Sequence, residues 1–249
     1  MLRYSKHEGK GPALTLREPQ GDRPFLFRVI WLAFFVITLA SCGNKPSSAS
    51  DTRLVTITTS TPPSNKKNIL FFGDSLTAGY GLDDPTDDAY PAVIQHKIDS
   101  LKLPYTVINA GVSGETTAGG LGRIDWVLKQ KVSVFILELG ANDGLRGIPV
   151  EESRRNLHAI TDKVKAKYPD AKIILAGMQV PPSMGADYAN SFKALFPQLA
   201  QKNNIALIPF LLDNVAGIPK LNQRDGIHPT AVGAKIVANN VWEVLRKGL

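Results

Sequence analysis

The sequence predicts an α/β fold built on a central parallel sheet of about five strands. Two observations carry this expectation. From residue 68 onward, short apolar runs alternate with longer segments of helical spacing. The runs do not alternate apolar with polar residues, so they suit strands covered on both faces, and the segments between them are long enough for crossover helices.

The first run, Ile69–Phe72, passes directly into Gly73-Asp74-Ser75-Leu76 and a glycine-rich bend. The later strands are expected at Thr106–Asn109, Val134–Leu139, Ile173–Ala176 and Ala206–Ile208. Helices are expected at Ala89–Leu101, Leu121–Lys129, Val150–Lys167 and Tyr188–Asn203. The last segment starts with Pro229 in a first helical turn, a position that loses no hydrogen bond to proline. It places Val232, Ile236, Val237, Val241, Val244 and Leu245 on one face. Parallel sheets of this kind bind ligands at the carboxyl ends of their strands, and Ser75 lies just past one such end.

At 249 residues, 43% hydrophobic and 20% charged, the chain has room for one domain with a real core plus appendages. Residues 1–41 hold six Lys/Arg and three Asp/Glu, so without them the net charge falls from +7 to +4. The remaining basic residues are scattered, and no basic stripe marks a nucleic-acid partner. Cys42 is the single cysteine, which excludes an internal disulfide and a multi-cysteine metal site.

Arg23 and Arg28 precede the uncharged run Val29–Ala40, 12 residues long. A membrane span needs ~20 residues, whereas the apolar region of a secretory signal is shorter. The run ends in Leu39-Ala40-Ser41-Cys42, which resembles the lipobox of bacterial lipoproteins, cleaved before a cysteine that is then lipid-modified. Gly43–Lys67 is rich in Ser, Thr, Pro and Lys, with only a thin candidate strand at Leu54–Thr59, and reads as a tether. The expected organisation is a lipoprotein-type signal segment at 1–41, a flexible tether at 42–67 and a folded domain at 68–249. Secretion across the inner membrane and anchoring through Cys42, on a periplasmic or cell-envelope face, follow from it.

A serine hydroxyl attacks only when a base takes its proton. Of the four histidines, His7 lies before the signal run, and His96 and His158 fall within expected helices. His228 stands in Arg224-Asp225-Gly226-Ile227-His228-Pro229, at a loop-to-helix junction. One tight turn brings Asp225 to its imidazole, as a Ser-His-Asp triad requires. Taken alone, the same two residues equally suit the organisation of the last helix. Donors for a developing oxyanion are offered by two post-strand loops. Asn109–Thr117 contains Gly111, whose backbone permits close approach, and Leu137–Gly147 contains Asn142 with its side-chain amide.

Together these pieces resemble the GDSL or SGNH hydrolase family, named for its Ser, Gly, Asn and His. Gly73-Asp74-Ser75-Leu76, Gly111 in its loop, Gly140-Ala141-Asn142-Asp143 and Asp225-Gly226-Ile227-His228-Pro229 match its four blocks in order, across residues 68–246. The nearest likeness is to the periplasmic acyl-thioesterase, lysophospholipase and arylesterase subgroup, which more often carries glycine at the position of Ala141. The resemblance implies a flavodoxin-like, three-layer SGNH-hydrolase fold. It makes Ser75 the nucleophile, His228 the base and Asp225 its orienter, with the Ser75 and Gly111 N–H groups and the Asn142 amide as oxyanion hole. No metal or organic cofactor is implied. An α/β-hydrolase elbow would need Gly-x-Ser-x-Gly, and Thr77 stands where its second glycine belongs.

The function expected is hydrolysis of carboxylic esters or thioesters of acyl chains, including lysolipids. Carbohydrate O-deacetylation is the alternative on the same fold, and a ligand-binding surface lipoprotein is the non-enzymatic one. The apolar stretch Gly177–Tyr188, expected beside the cleft, favours acyl chains, and a binding module has no need of Ser75, Asp225 and His228 together.

Overall fold

A computed structural model of the protein describes residues 66–249. The expected signal segment, most of the tether, the Leu54–Thr59 strand candidate and Cys42 lie outside the described residues. In chain order the elements are β1 (Lys67–Gly73), α1 (Ser75–Ala78), α2 (Pro85–Asp88), α3 (Tyr90–Ser100), β2 (Tyr105–Gly111) and α4 (Thr117–Val127). They continue with β3 (Val134–Glu138), α5 (Ala141–Leu145), α6 (Val150–Lys167), β4 (Lys172–Ala176), α7 (Ala186–Asn203), β5 (Ala206–Ile208) and α8 (Ala231–Leu245).

The five strands form one parallel sheet in the order β2-β1-β3-β4-β5. Helices α3 and α8 pack together on one face, and α4, α6 and α7 on the other, completing three layers. Residues of the central strands are buried whichever way they point: Ile69 to Phe72 and Phe135 to Leu137 are all fully enclosed. That is why the strands read as uninterrupted apolar runs. The chain leaves β1 for β2 on one side and then crosses back to β3 on the other. The strand order therefore reverses at β1, and a crevice opens at its carboxyl end.

Several boundaries differ from the expected ones for local reasons. Helix α4 begins at Thr117 rather than Leu121, because Thr116 caps it by accepting Gly119 N–H. Glycines 119, 120 and 122 disguise that first turn in the sequence. Gly120 is required by packing, since a methyl there would overlap Leu139 and crowd Phe72. The bend after β1 is a helical turn, α1, capped by the Asp74 side chain and ended by Gly79 in the left-handed region at φ 77°. In α8 the buried face is Ala234, Val237, Ala238, Val241 and Leu245, with Ile236 and Val244 at its margins. Val232 does not belong to it: it sits in the first turn, facing outward and 61% exposed.

Candidate active site

Ser75 is the first residue of α1, directly beyond β1. Its Oγ lies 2.8 Å from His228 Nε2, and His228 Nδ1 lies 2.7 Å from Asp225 Oδ2. With the ring proton on Nδ1 donated to Asp225, Nε2 is free to accept the serine proton. Asp225 is fixed by its own turn, because Oδ1 accepts both Ile227 N–H at 3.0 Å and His228 N–H at 3.1 Å. Gly226, at φ 76°, supplies the left-handed residue that this turn requires. Partial desolvation pushes the Asp225 carboxyl up, but the hydrogen bonds from the His228 ring and the two N–H groups outweigh it and hold it below the usual carboxylate range. His96 and His158, on α3 and α6, lie beside Asp87 and Asp162 and are not among the residues that line the cleft with His228.

The histidine turn is tied to the serine turn by Gln223, which the sequence did not single out. Its backbone N–H donates to His228 O at 2.7 Å, and its side-chain amide donates to Tyr80 O at 2.7 Å and Pro229 O at 3.0 Å. The Tyr80 ring rests against the imidazole, centroids 4.8 Å apart. Sequence motifs mark residues that react; a bracing glutamine carries no such signature.

Asn142 enters the site from the start of α5, whose preceding residue, Gly140, has φ 118°. Its Nδ2 donates one hydrogen to Asp74 Oδ2 at 3.1 Å, which leaves the other for a ligand. Asp74 also accepts Leu76 N–H on Oδ1 at 3.0 Å, so one carboxylate holds both the helix that carries Ser75 and the amide. Burial raises the Asp74 pKa to about 6, against the hydrogen bonds from Leu76 and Asn142 and the nearby His228 and Glu138 groups. The neighbouring Asp143 is buried and accepts from Thr117 and Ser153, locking α5 to α4 and α6.

The Gly111 expectation needs correction. Gly111 N–H donates to Asn109 Oδ1 at 3.0 Å, and its Cα is pressed against the backbone of Asp74 and Ala78, where an added methyl would overlap Ala78 N. The glycine of that loop that borders the cleft is Gly114, at φ 78°, and among the described residues nothing accepts its N–H. One loop holds both glycines, and only packing separates the one that seats α1 from the one that faces a ligand. Ser75 N–H, likewise unpartnered among the described residues, lies on the same cleft.

That cleft encloses about 650 Å³. Ser75, Asn142 and His228 stand among walls of Leu76, Leu145, Met178, Val180, Phe210 and Leu212. Of the expected stretch Gly177–Tyr188, Met178 to Pro182 line it; Tyr188 instead donates to Ile148 O at 2.7 Å. Ala141 lines it as well. Among the described residues, no group of three or more His, Cys, Asp or Glu side chains is placed to hold a metal ion.

Residues 71–236 match the model of the GDSL-like lipase/acylhydrolase family. The esterase TesA of Pseudomonas aeruginosa is 36% identical over 181 residues, covering 72% of this chain and 88% of that protein. The Escherichia coli K12 protein named thioesterase 1/protease 1/lysophospholipase L1 is 36% identical over 172 residues, or 69% of this chain and 79% of that one. Among solved structures, AlinE4, described as an SGNH-hydrolase family esterase, superposes with a TM-score of 0.60 at 42% identity, covering 74% of this chain and 97% of that chain.

The placement of Gly111 gives a test. Gly111→Ala keeps the backbone N–H but forces α1 off β2, so it should cost about 1–3 kcal/mol in urea unfolding and lower kcat at least ~10-fold. A loss of kcat with unchanged stability would contradict the packing role.

Proposed function

This chain belongs to the GDSL-like lipase/acylhydrolase family, and within it we propose a serine esterase that cleaves carboxylic esters or thioesters of acyl chains through Ser75, His228 and Asp225. The observation that carries the residue assignment is the continuous chain from Ser75 Oγ to His228 to Asp225, at 2.8 and 2.7 Å, opening on an apolar cleft. His228 Nε2 takes the Ser75 proton as Oγ attacks the substrate carbonyl. Asp225 holds the other ring proton and stabilises the imidazolium. The developing oxyanion is met by Ser75 N–H, Gly114 N–H and the free hydrogen of Asn142 Nδ2. Each such donor is worth ~10²–10³ in kcat in comparable sites. Collapse of the tetrahedral intermediate expels the alcohol or thiol, which leaves with the proton from His228. Water then adds to the acyl-enzyme by the same route, returning the proton to Ser75 and releasing the acid.

Ser75→Ala should fold as the parent does and lose hydrolysis by ~10³-fold or more. An organophosphonate should label the parent once, on Ser75. Labelling at another residue, or full turnover by Ser75→Ala, would remove the assignment.

The apolar cleft walls support acyl chains over acetylated sugars as substrates. Each methylene buried there contributes up to ~0.8 kcal/mol. In a series of p-nitrophenyl esters, kcat/KM should rise severalfold per two carbons and then level off. A steep fall from acetyl to octanoyl would favour the carbohydrate deacetylase instead.

We further propose that Cys42 is lipid-modified and tethers the domain to the cell envelope, on the strength of Leu39-Ala40-Ser41-Cys42 and the polar stretch after it. Several acyl chains on one cysteine hold a protein firmly, where a single chain gives only marginal binding. Metabolic palmitate should label the parent and not Cys42→Ala. An unlabelled parent found wholly in the soluble fraction would dispose of the anchor.

A further inference from the structure

Glu138 is used by none of the steps above, yet it bonds to Asp74 and Thr77, on either side of Ser75 in the chain. It ends β3, opposite Gly73 in the strand register, and is fully buried. Its Oε2 accepts Asp74 N–H at 3.1 Å and Thr77 Oγ1–H at 2.7 Å. The buried Tyr90 hydroxyl, 2.6 Å from Thr77 Oγ1, extends this chain into the core. Oε1 is buried with no hydrogen-bond partner among the described residues. The glycine that opens the Gly-Asp-Ser-Leu turn is explained by the same group: a methyl on Gly73 would overlap Glu138 Oε2 and Thr77 Oγ1.

This is poor housing for an anion. The hydrogen bonds to Oε2 come from uncharged donors, Oε1 has none, and a second carboxyl, Asp74, stands on the same turn. A buried charge without a counter-charge costs far more than a buried neutral polar group, and two adjacent carboxyls resist ionising together. Burial first, and then the charge of Asp74, push Glu138 well above the usual carboxyl range. The other titratable groups bearing on this cluster are Tyr90, which burial keeps protonated, and His228, which acts on Asp74.

We infer that Glu138 is a positioning residue for hydrolysis: an uncharged carboxyl group that clamps the start of α1 from below and leaves Asp74 as the single anion orienting the Asn142 amide. The amide orientation is where charge placement matters. An ionised Asp74 can only accept, so Asn142 must turn its NH2 toward it, which aims the second hydrogen at the reacting centre. Were the proton on Asp74 instead, its hydroxyl could donate to the Asn142 oxygen and the amide could reverse. The inference rests on Asn142 as an oxyanion donor.

Two measurements on the full chain test it. Infrared difference spectra of the parent against Glu138→Gln at neutral pH should show a protonated-carboxyl C=O band lost in the variant; its absence overturns the neutral state. In kinetics normalised by phosphonate titration, Glu138→Gln keeps the acceptor oxygen and should hold kcat within about threefold. Glu138→Ala should lose kcat about tenfold or more at nearly constant KM. A fall in Glu138→Gln as deep as in Glu138→Ala, or a parental kcat in Glu138→Ala, overturns the positioning role. If Glu138→Ala fails to fold, Thr77→Val removes one of its two donors and should lower kcat in the same sense; an unchanged kcat counts against the clamp. Asn142→Ala separates the premises: a parental kcat there defeats the oxyanion role, while the infrared result still judges Glu138.

Discussion

One carboxylate couples the two halves of the site. Asp74 receives Leu76 N–H on one oxygen and Asn142 Nδ2 on the other, 68 residues away in the chain. The first contact caps a helix of only four residues, too short to hold its shape by its own ladder. The second fixes an amide on a different post-strand loop. In the proposed reaction, a nucleophile and an oxyanion donor are useful only if their separation is constant, because the gain from pre-aimed dipoles disappears once they must reorganise. By accepting from both, Asp74 makes their spacing a property of one side chain. Its burial carries an electrostatic cost, visible in its pKa of about 6, which is offset by the donors it organises.

The histidine turn is secured differently, by backbone rather than burial. Asp225 and His228 lie in a self-bonded turn on the partly exposed edge of the cleft, and Asp225 is held low by the hydrogen bonds it accepts. Such a turn has few neighbours to steady it. Gln223 supplies them, joining the turn at His228 and Pro229 to the residue that follows α1 and Gly79, Tyr80. Asn222 anchors the preceding stretch through Val215 O and Ile218 O. The contact between Ser75 and His228 spans 153 residues of chain, so these braces substitute for sequence proximity.

The cleft owes its shape to close backbone approaches. Gly177 lies so near Pro209 O that a methyl would overlap it, which brings the segment after β4 against the one after β5. Gly144 similarly admits Val180 and Phe192 beside α5. Around the opening stand Tyr80, Leu145 and Ile227, which are 54%, 42% and 44% exposed. Apolar walls rimmed by apolar residues favour a substrate whose leaving or acyl portion gains by leaving water.

Much of this was legible from residues 68–249 alone. Strands buried on both faces must be apolar throughout, so their alternation with helices declared a parallel sheet, and Ser75, Asn142, Asp225 and His228 were candidates by side-chain chemistry that only the four family blocks in order drew together. The sheet's strand order, with its reversal at β1, was decided by tertiary packing, as was the inward face of α8, where Val232 is left outside. The division of labour between Gly111 and Gly114 was decided there too, since glycine carries no side chain to declare whether it admits a neighbouring backbone or a ligand. Glu138 and Gln223 went unmarked, and Asp74 was marked only as a member of the nucleophile block, because a supporting residue is defined by what it touches. Local sequence determined which groups can react; the environment that aims them and sets their charge came from segments far apart in the chain, brought together only when the sheet forms.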